Sequence, residues 1–211
     1  MSDSVPGVSP HARVSGERML QEQLGTRERA DQFYQLQVLD HLNEKMRTFI
    51  GAQEWMFVAT SDASGACDST LRAGPAGFVT VLDDQRLAWP EYRGNGVMAS
   101  RGNIVENPHV GLLFVDFVHD QIGLHVNARA HLVDDADLRA EHPWLPIDCV
   151  PGRRPDQWVS AEVEEAYIHC SKHIPRLYRH PGDRHHLTHH LVKKTDYFGA
   201  AEATLACGMT A

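Results

Sequence analysis

The chain has 211 residues, of which 42% are apolar and 23% charged, a composition that favours one globular domain with a buried core and excludes a disordered or fibrous protein. The formal net charge of −8 argues against nucleic acid or an anionic membrane as the main partner, because neither attracts an acidic surface.

The N-terminal sequence MSDSVPGVSP lacks a basic stretch followed by an apolar one, and the longest apolar stretch, residues 110–118, is broken by Asp116 and too short to span a bilayer. No CxxC pair occurs among the cysteines, so we expect reduced thiols rather than disulfides or metal ligands; they are Cys67, Cys149, Cys170 and Cys207. We therefore expect a cytoplasmic protein.

Residues 1–16 are rich in Pro, Gly and Ser, which predicts a flexible arm. Residues 17–51 form a predicted N-terminal helical segment, since apolar residues recur along it every three or four positions and Gly51 is placed to end the helix. The apolar stripe consists of Phe33, Leu36, Leu39, Leu42, Met46 and Phe49. Residues 52–178 are the predicted barrel domain, and residues 179–211 a His-rich C-terminal tail.

Six segments of the barrel domain are rich in β-branched and aromatic residues, and mostly tight turns connect them. These strand candidates are residues 55–60, 78–82, 86–90, 110–118, 122–133 and 158–169. One short helix, residues 97–107, is predicted to end at Asn107-Pro108. The order favours an antiparallel barrel or sandwich over alternating βαβ units.

A glycine-rich turn, Arg93-Gly94-Asn95-Gly96, lies just before that helix. Main-chain N–H groups in such a turn and at a helix N-terminus can bind a phosphate, and Arg93 adds a guanidinium. Ser100 and Arg101, in the first turns of the helix, could add a hydroxyl and a second positive charge. The alternative is an ordinary Gly-Asn-Gly turn with no ligand.

The segment 72–80 (RAGPAGFVT) places Gly and Pro just before a strand. Small residues and unpaired main-chain donors at this point would suit a flat ring, and Arg72 would supply a cation beside it. The alternative for Arg72 is a solvated surface position.

The stretch GFVTVLDDQRLAWPEYRGNGVMASRGNIVENPHVGLLFVDF, with LHVNARA and EAYIHCSK further on, resembles the pyridoxamine 5′-phosphate oxidase-like family of FMN-binding split β-barrels. The resemblance covers about residues 45–175. It implies a mainly β (α+β) fold, a six-stranded antiparallel split β-barrel with an N-terminal helix and short peripheral helices. It also implies an obligate homodimer with the flavin at the interface.

The resemblance further implies a cofactor-binding set. The main chain of Gly77, Phe78, Val79 and Thr80 would contact the flavin ring, with Arg72 as the cation near it. Trp89 and Pro90 would lie beside the ribityl chain, and Arg93, Asn95 and Ser100 would hold the phosphate. Gln121 or His125 would reach the ring, from the same subunit or from the other one.

The function that the resemblance implies is an FMN-dependent oxidoreductase that transfers hydride or electrons to or from an unidentified small molecule, with no catalytic residue assigned. The alternatives are a flavin- or haem-binding protein without turnover and an F420-dependent reductase. Vitamin B6 oxidation is not expected, because the phosphate loop lacks the family's Arg-Lys pair and the C-terminus lacks its Trp and Arg pattern.

Two further features could support a metal site or a reactive thiol. The C-terminal part is rich in histidine, with i,i+4 pairs at His185/His189 and His186/His190, but no Glu or Cys lies in the cluster. We interpret it as a solvated segment and assign no metal. Cys170, beside His169 and Lys172, is either a thiol of lowered pKa or, as we expect, a buried structural cysteine.

Overall fold

The computed structural model describes residues 16–147, 154–155 and 157–179. The flexible arm expected at the N-terminus lies outside these residues except for Gly16, and the His-rich tail lies outside them except for Arg179. Cys149 and Cys207 are outside them as well.

The N-terminal segment contains three helices rather than one. They are α1 (Gly16–Gln23), α2 (Arg27–Gln37) and α3 (Glu44–Ala52), with the two-residue strand β1 (Val38–Leu39) between α2 and α3. The prediction of one helix through the apolar stripe is therefore wrong. The stripe is interrupted because β1 pairs with Tyr167 and Ala166, and because Asn43 starts a new helix by accepting a 3.0 Å hydrogen bond from the N–H of Met46.

All six predicted strands are present. A further strand of seven residues was not predicted. The strands are β2 (Trp55–Ser61), β3 (Cys67–Ala73), β4 (Thr80–Val81), β5 (Arg86–Glu91), β6 (His109–Asp116), β7 (Ile122–Asp134) and β8 (Gln157–His169). The missed strand, β3, has a polar sequence and lies at a sheet edge, where alternate side chains face solvent. β4 is only two residues long, so the strand predicted over residues 78–82 is too long.

These strands form one antiparallel sheet in the order β3-β2-β6-β7-β8-β5-β4, with β1 pairing on β8. Within the described residues no ladder joins β3 to β4, so the sheet curls without closing. Its concave side encloses the main core, in which Leu42, Met56, Trp89 and Phe114 are almost wholly buried. The predicted class, a mainly β split barrel, is confirmed.

Two short helices pack against the sheet. α4 (Ala99–Glu106) follows β5 and buries Ile104 in the core, close to the predicted helix 97–107. α5 (Asp135–Glu141) packs on the outer face of β5 and β8, where Ala88, Leu138, Leu145 and Trp158 make a second small core. Residues 92–98 connect β5 to α4.

Candidate functional site

The connection from β5 to α4 borders a cleft of about 860 Å³, within the size range of small-molecule sites. Its other walls are the second half of β3, the end of β5 and the first residues of α4. It is lined by Asp68, Thr70, Leu71, Arg72, Ala73, Glu91, Tyr92, Arg93, Gly94, Asn95, Gly96, Val97, Met98, Ala99, Ser100 and Arg101. Arg72, Arg93, Asn95 and Ser100, which the sequence analysis singled out, are therefore brought together.

The turn in this cleft presents main-chain donors. Asn95 accepts a 3.0 Å hydrogen bond from the N–H of Val97 through its side-chain oxygen, which fixes the turn, and Gly96 has a φ of +87° that favours glycine. Met98, the N-cap of α4, has a left-handed φ of 57°, and its side chain makes no capping hydrogen bond. The first N–H groups of α4 are thus left without a side-chain cap at the cleft.

Arg72 is clamped to a neighbouring carboxylate rather than solvated. Its Nε and one terminal nitrogen donate to the two oxygens of Glu91 at 2.9 and 3.1 Å, and the other terminal nitrogen donates to Thr70. Glu91 is 8% exposed and also accepts from the indole N–H of Trp89 at 3.1 Å. The interpretation of Arg72 as a solvated surface residue is wrong, and Glu91 balances its charge.

A second carboxylate of the cleft, Asp68 on β3, also accepts a hydrogen bond. Ser100 is buried and donates its hydroxyl proton to Asp68 at 2.9 Å, while Arg101 donates to the side chain of Gln157 at 3.3 Å. The cleft lining therefore carries three guanidinium groups and two carboxylates. Arg93 is exposed in this lining, and its guanidinium makes no hydrogen bond or ion pair to any part of the chain that the structure describes.

A smaller pocket of about 230 Å³ adjoins the cleft and shares Tyr92 with it. Three other candidates, Gly77, Phe78 and Pro90, line it together with Trp158. The N–H of Phe78 donates to the carbonyl of Pro75 at 2.9 Å, so this donor, expected to be free for a ring, is used inside the turn.

The remaining candidates lie elsewhere. Val79, Thr80 and Trp89 are buried and line neither pocket. Gln121, in the turn between β6 and β7, donates to the carbonyl of Ile174 and accepts from Arg176. His125, on β7, stacks on Tyr167, with ring centroids 4.8 Å apart. Within one chain, neither Gln121 nor His125 lines the cleft.

The match to a known family decides where the chain belongs. The family model described as pyridoxamine 5′-phosphate oxidase matches residues 42–170, more than half of the chain. The chain belongs to the pyridoxamine 5′-phosphate oxidase family. The matched segment runs from just before α3 through β8 and so contains every candidate residue of the cleft and the smaller pocket.

Solved structures give distant similarities to this member of the pyridoxamine 5′-phosphate oxidase family. An FMN-binding protein from Syntrophomonas wolfei is 12% identical, over 77% of this chain and 98% of that one, with a TM-score of 0.47. HupZ from Group A Streptococcus is 20% identical, over 60% and 92%, with a TM-score of 0.44. General Stress Protein 26 from Bacillus anthracis is 17% identical, over 59% and 91%, with a TM-score of 0.42. No curated protein matches the chain.

Sequence reasoning missed Glu91 and Asp68, the two carboxylates of the cleft. No local signal marks them, because their role depends on partners 19 and 32 residues away in the chain, Arg72 and Ser100. Cys170 is exposed, so its interpretation as buried is wrong; like Cys67 it is a free thiol. The described residues contain no group of three or more His, Cys, Asp or Glu side chains arranged to hold a metal, and no helix long and apolar enough to cross a membrane.

Proposed function

We propose that this protein binds FMN in the cleft between β3 and the β5–α4 connection and acts as an FMN-dependent oxidoreductase on a small molecule. Membership of the pyridoxamine 5′-phosphate oxidase family supports a flavin-binding function of the oxidoreductase type. When bound, the flavin would supply the hydride or electron chemistry. The protein would bind and orient the flavin and the substrate, and it would exclude water from the site.

The observation that carries the proposal is the uncommitted guanidinium of Arg93 beside the uncapped first turn of α4. A phosphate monoester carries about two negative charges at neutral pH and is bound well by an arginine fork together with helix N–H groups. Both carboxylates of the cleft already accept hydrogen bonds, Glu91 from Arg72 and Asp68 from Ser100, which reduces their repulsion of an anion. The donor set therefore fits one phosphate group.

The ring of the flavin would occupy the smaller pocket and the passage to it beside Tyr92. Gly77, Phe78, Pro90 and Trp158 give that pocket mostly apolar walls. Arg72 would lie near the pyrimidine end of the ring, with its charge moderated by Glu91. Ser100 would have to release Asp68 before its hydroxyl could donate to the phosphate.

We further propose that the protein is a homodimer, with the partner covering an apolar row on the outer face of the sheet. The row crosses three strands through directly paired residues, Leu71 opposite Phe57 and Phe57 opposite Leu113. Leu71 is 54% and Phe57 37% exposed, and neighbouring large apolar side chains on a sheet face favour burial against a partner. A dimer would also allow Gln121 of one subunit to approach the cleft of the other.

The direct test is the cofactor content of the purified protein. We expect the visible absorbance bands of oxidised flavin, FMN rather than FAD in the denatured extract, and reoxidation after reduction by NADH or NADPH. A Soret band would instead identify a haem protein, and a deazaflavin spectrum an F420 protein. Flavin that cannot be reduced and reoxidised by any donor and acceptor would favour binding without turnover.

The site is tested by changing Arg93 and Asn95 together to Ala. The double variant loses a charged phosphate contact and the amide that fixes the turn, so its affinity for FMN should fall at least about a hundredfold. Its affinity for riboflavin should fall much less, because only FMN carries the phosphate. Arg27→Ala, which removes an exposed guanidinium on α2, serves as the control and should keep wild-type affinity. Unchanged FMN affinity in a folded double variant would disprove the assignment of the phosphate loop.

A further inference from the structure

A second cavity, separate from the proposed flavin cleft, lies between the N-terminal helices and the outer face of β8. It measures about 540 Å³, within the range of small-molecule pockets. Its helical wall comes from α1 and α2, which lie before the segment 42–170 that matches the family. The cavity therefore combines residues outside the matched segment with residues of β8 inside it.

The walls of this cavity are aromatic. Phe33 on α2 meets the ring of Tyr167 on β8 edge to face, with centroids 6.0 Å apart, and also contacts the neighbouring ring of Tyr34 at 6.3 Å. The cluster already holds one cation of the protein, because the guanidinium carbon of Arg18 lies 5.5 Å from the centroid of Tyr34. Such rings attract organic cations through their electron-rich faces.

Two carboxylates of the lining act on the same aromatic cluster. Glu17 accepts a 2.8 Å hydrogen bond from the hydroxyl of Tyr34, and Glu165 accepts one of 2.8 Å from Asn127. Burial, then the charge of Glu165 and, more weakly, that of Glu17 raise the pKa of Tyr167, so both carboxylates bear on its hydroxyl. One of the two carboxylates that make the cavity negative therefore lies on α1, and the other lies on β8.

The other charges near the cavity leave this potential negative. Arg18 is paired with Asp31 at 2.5 Å, and burial together with His169 lowers the pKa of His125, which keeps that imidazole neutral at pH 7. Arg29 is the one basic side chain of the lining and is exposed. Arg18 also interacts electrostatically with Glu17, so two arginines oppose the two carboxylates of the lining and Asp31, which leaves one negative charge in excess.

We propose that this cavity binds a small organic cation, with its ammonium or guanidinium group between Glu17 and Glu165 and its apolar body on Phe33 and Tyr167. The site goes beyond the flavin function, since none of its lining residues borders the flavin cleft. Arg29 would favour a ligand whose far end carries a negative charge or a hydrogen-bond acceptor.

The probes are benzylamine and benzyl alcohol, which share a ring and differ in charge. We expect saturable binding of benzylamine, followed by amide chemical shifts, with an affinity about tenfold higher than that of benzyl alcohol. Shifts should concentrate on α1, α2 and the end of β8. Equal affinity of the two probes, or no saturation with benzylamine, would overturn the proposal.

Variants assign the binding to this cavity. Glu165→Gln and Glu17→Gln keep the shape of the side chain and remove its charge. Each should lower the affinity for benzylamine about five- to tenfold and leave the affinity for benzyl alcohol unchanged. Glu22→Gln removes an equal charge from the outer side of α1, where Glu22 pairs with Arg27, and should have no effect. Equal losses in all three variants would mean a general charge effect and would also overturn the proposal.

Discussion

Gly74 allows the turn before β4 to pack closely. A Cβ atom added at this position would lie 2.5 Å from Cβ and 2.6 Å from Cγ of Phe78, which lines the smaller pocket and is itself buried. Gly74→Ala therefore forces the turn to move and should lower the free energy of unfolding by about 1–3 kcal/mol, measured by urea unfolding. FMN affinity should fall with it, because Phe78 and Gly77 border the proposed ring pocket.

Gly102→Ala provides the matched control for this substitution. Gly102 lies inside α4, and a Cβ atom there would meet nothing within 4 Å. Because alanine is the better helix former, we expect a gain of up to about 1 kcal/mol. A loss at Gly102 as large as that at Gly74 would show that crowding against Phe78 is not the cause.

His125 should make stability depend on pH. Its ring nitrogen lies 2.9 Å from a ring nitrogen of His169, and burial, followed by the charge of His169, lowers the pKa of His125 below its ordinary value of 6.5. As the pH falls below 6.5, the unfolded chain binds a proton that the folded imidazole does not, so the folded state loses stability. Well above pH 6.5 the imidazole is neutral in both states, so His125 no longer makes the free energy of unfolding depend on pH.

Urea unfolding of the wild type and of His125→Gln at about pH 7.5 and 5.5 measures this effect. The wild type should lose more stability on acidification than the variant, which has no imidazole at this position. Equal losses in the two proteins would mean that His125 has the same pKa in the folded and unfolded chains.

The start of α3 is the clearest prediction at the level of an element. The side chain of Asn43 caps the N-terminus of α3 through its 3.0 Å bond to the N–H of Met46, and α3 buries Ile50 completely. Asn43→Ala should cost about 1 kcal/mol in the free energy of unfolding, whereas Asn43→Asp, which keeps an acceptor, should cost little. Equal stability of the alanine and aspartate variants would contradict the capping role.

Elements with a strong local pattern could be predicted from the sequence, and those that depend on distant partners could not. The aromatic and β-branched run of β2 and the helix ending at Asn107-Pro108 carry their own signals. The apolar stripe of the N-terminal segment does not mark one helix, because Leu39 lies in β1, which pairs with β8, and Leu42 is buried in the core. β3 was missed because its residues alternate between partly and largely exposed positions.

At the scale of the whole molecule, the proposed flavin site also has a part that could be predicted from local sequence and a part that depends on distant partners. The Arg93–Gly96 turn is contiguous in sequence, so its position beside a helix N-terminus could be predicted. Glu91 and Asp68 carry no signal, since their significance arises only when the sheet brings β3 beside β5 and α4. The cavity under α1 and α2 likewise depends on residues more than a hundred positions apart, Phe33 and Tyr167.

The apolar row on the outer sheet face gives the prediction that concerns the assembly. A stable dimer buries about 1,200–2,000 Å² in total, and charged residues are disfavoured at the centre of such an interface. Phe57, paired with both Leu71 and Leu113, lies in the middle of the row, so Phe57→Glu should convert a dimer into a monomer in light scattering. Val105→Glu, at a 73% exposed apolar position on α4 outside the row, should leave the dimer intact.

A monomeric wild type, or a dimeric Phe57→Glu variant, would refute this interface. If FMN affinity falls only in the monomeric variant, the partner subunit contributes to the flavin site, because Phe57 itself does not line the cleft.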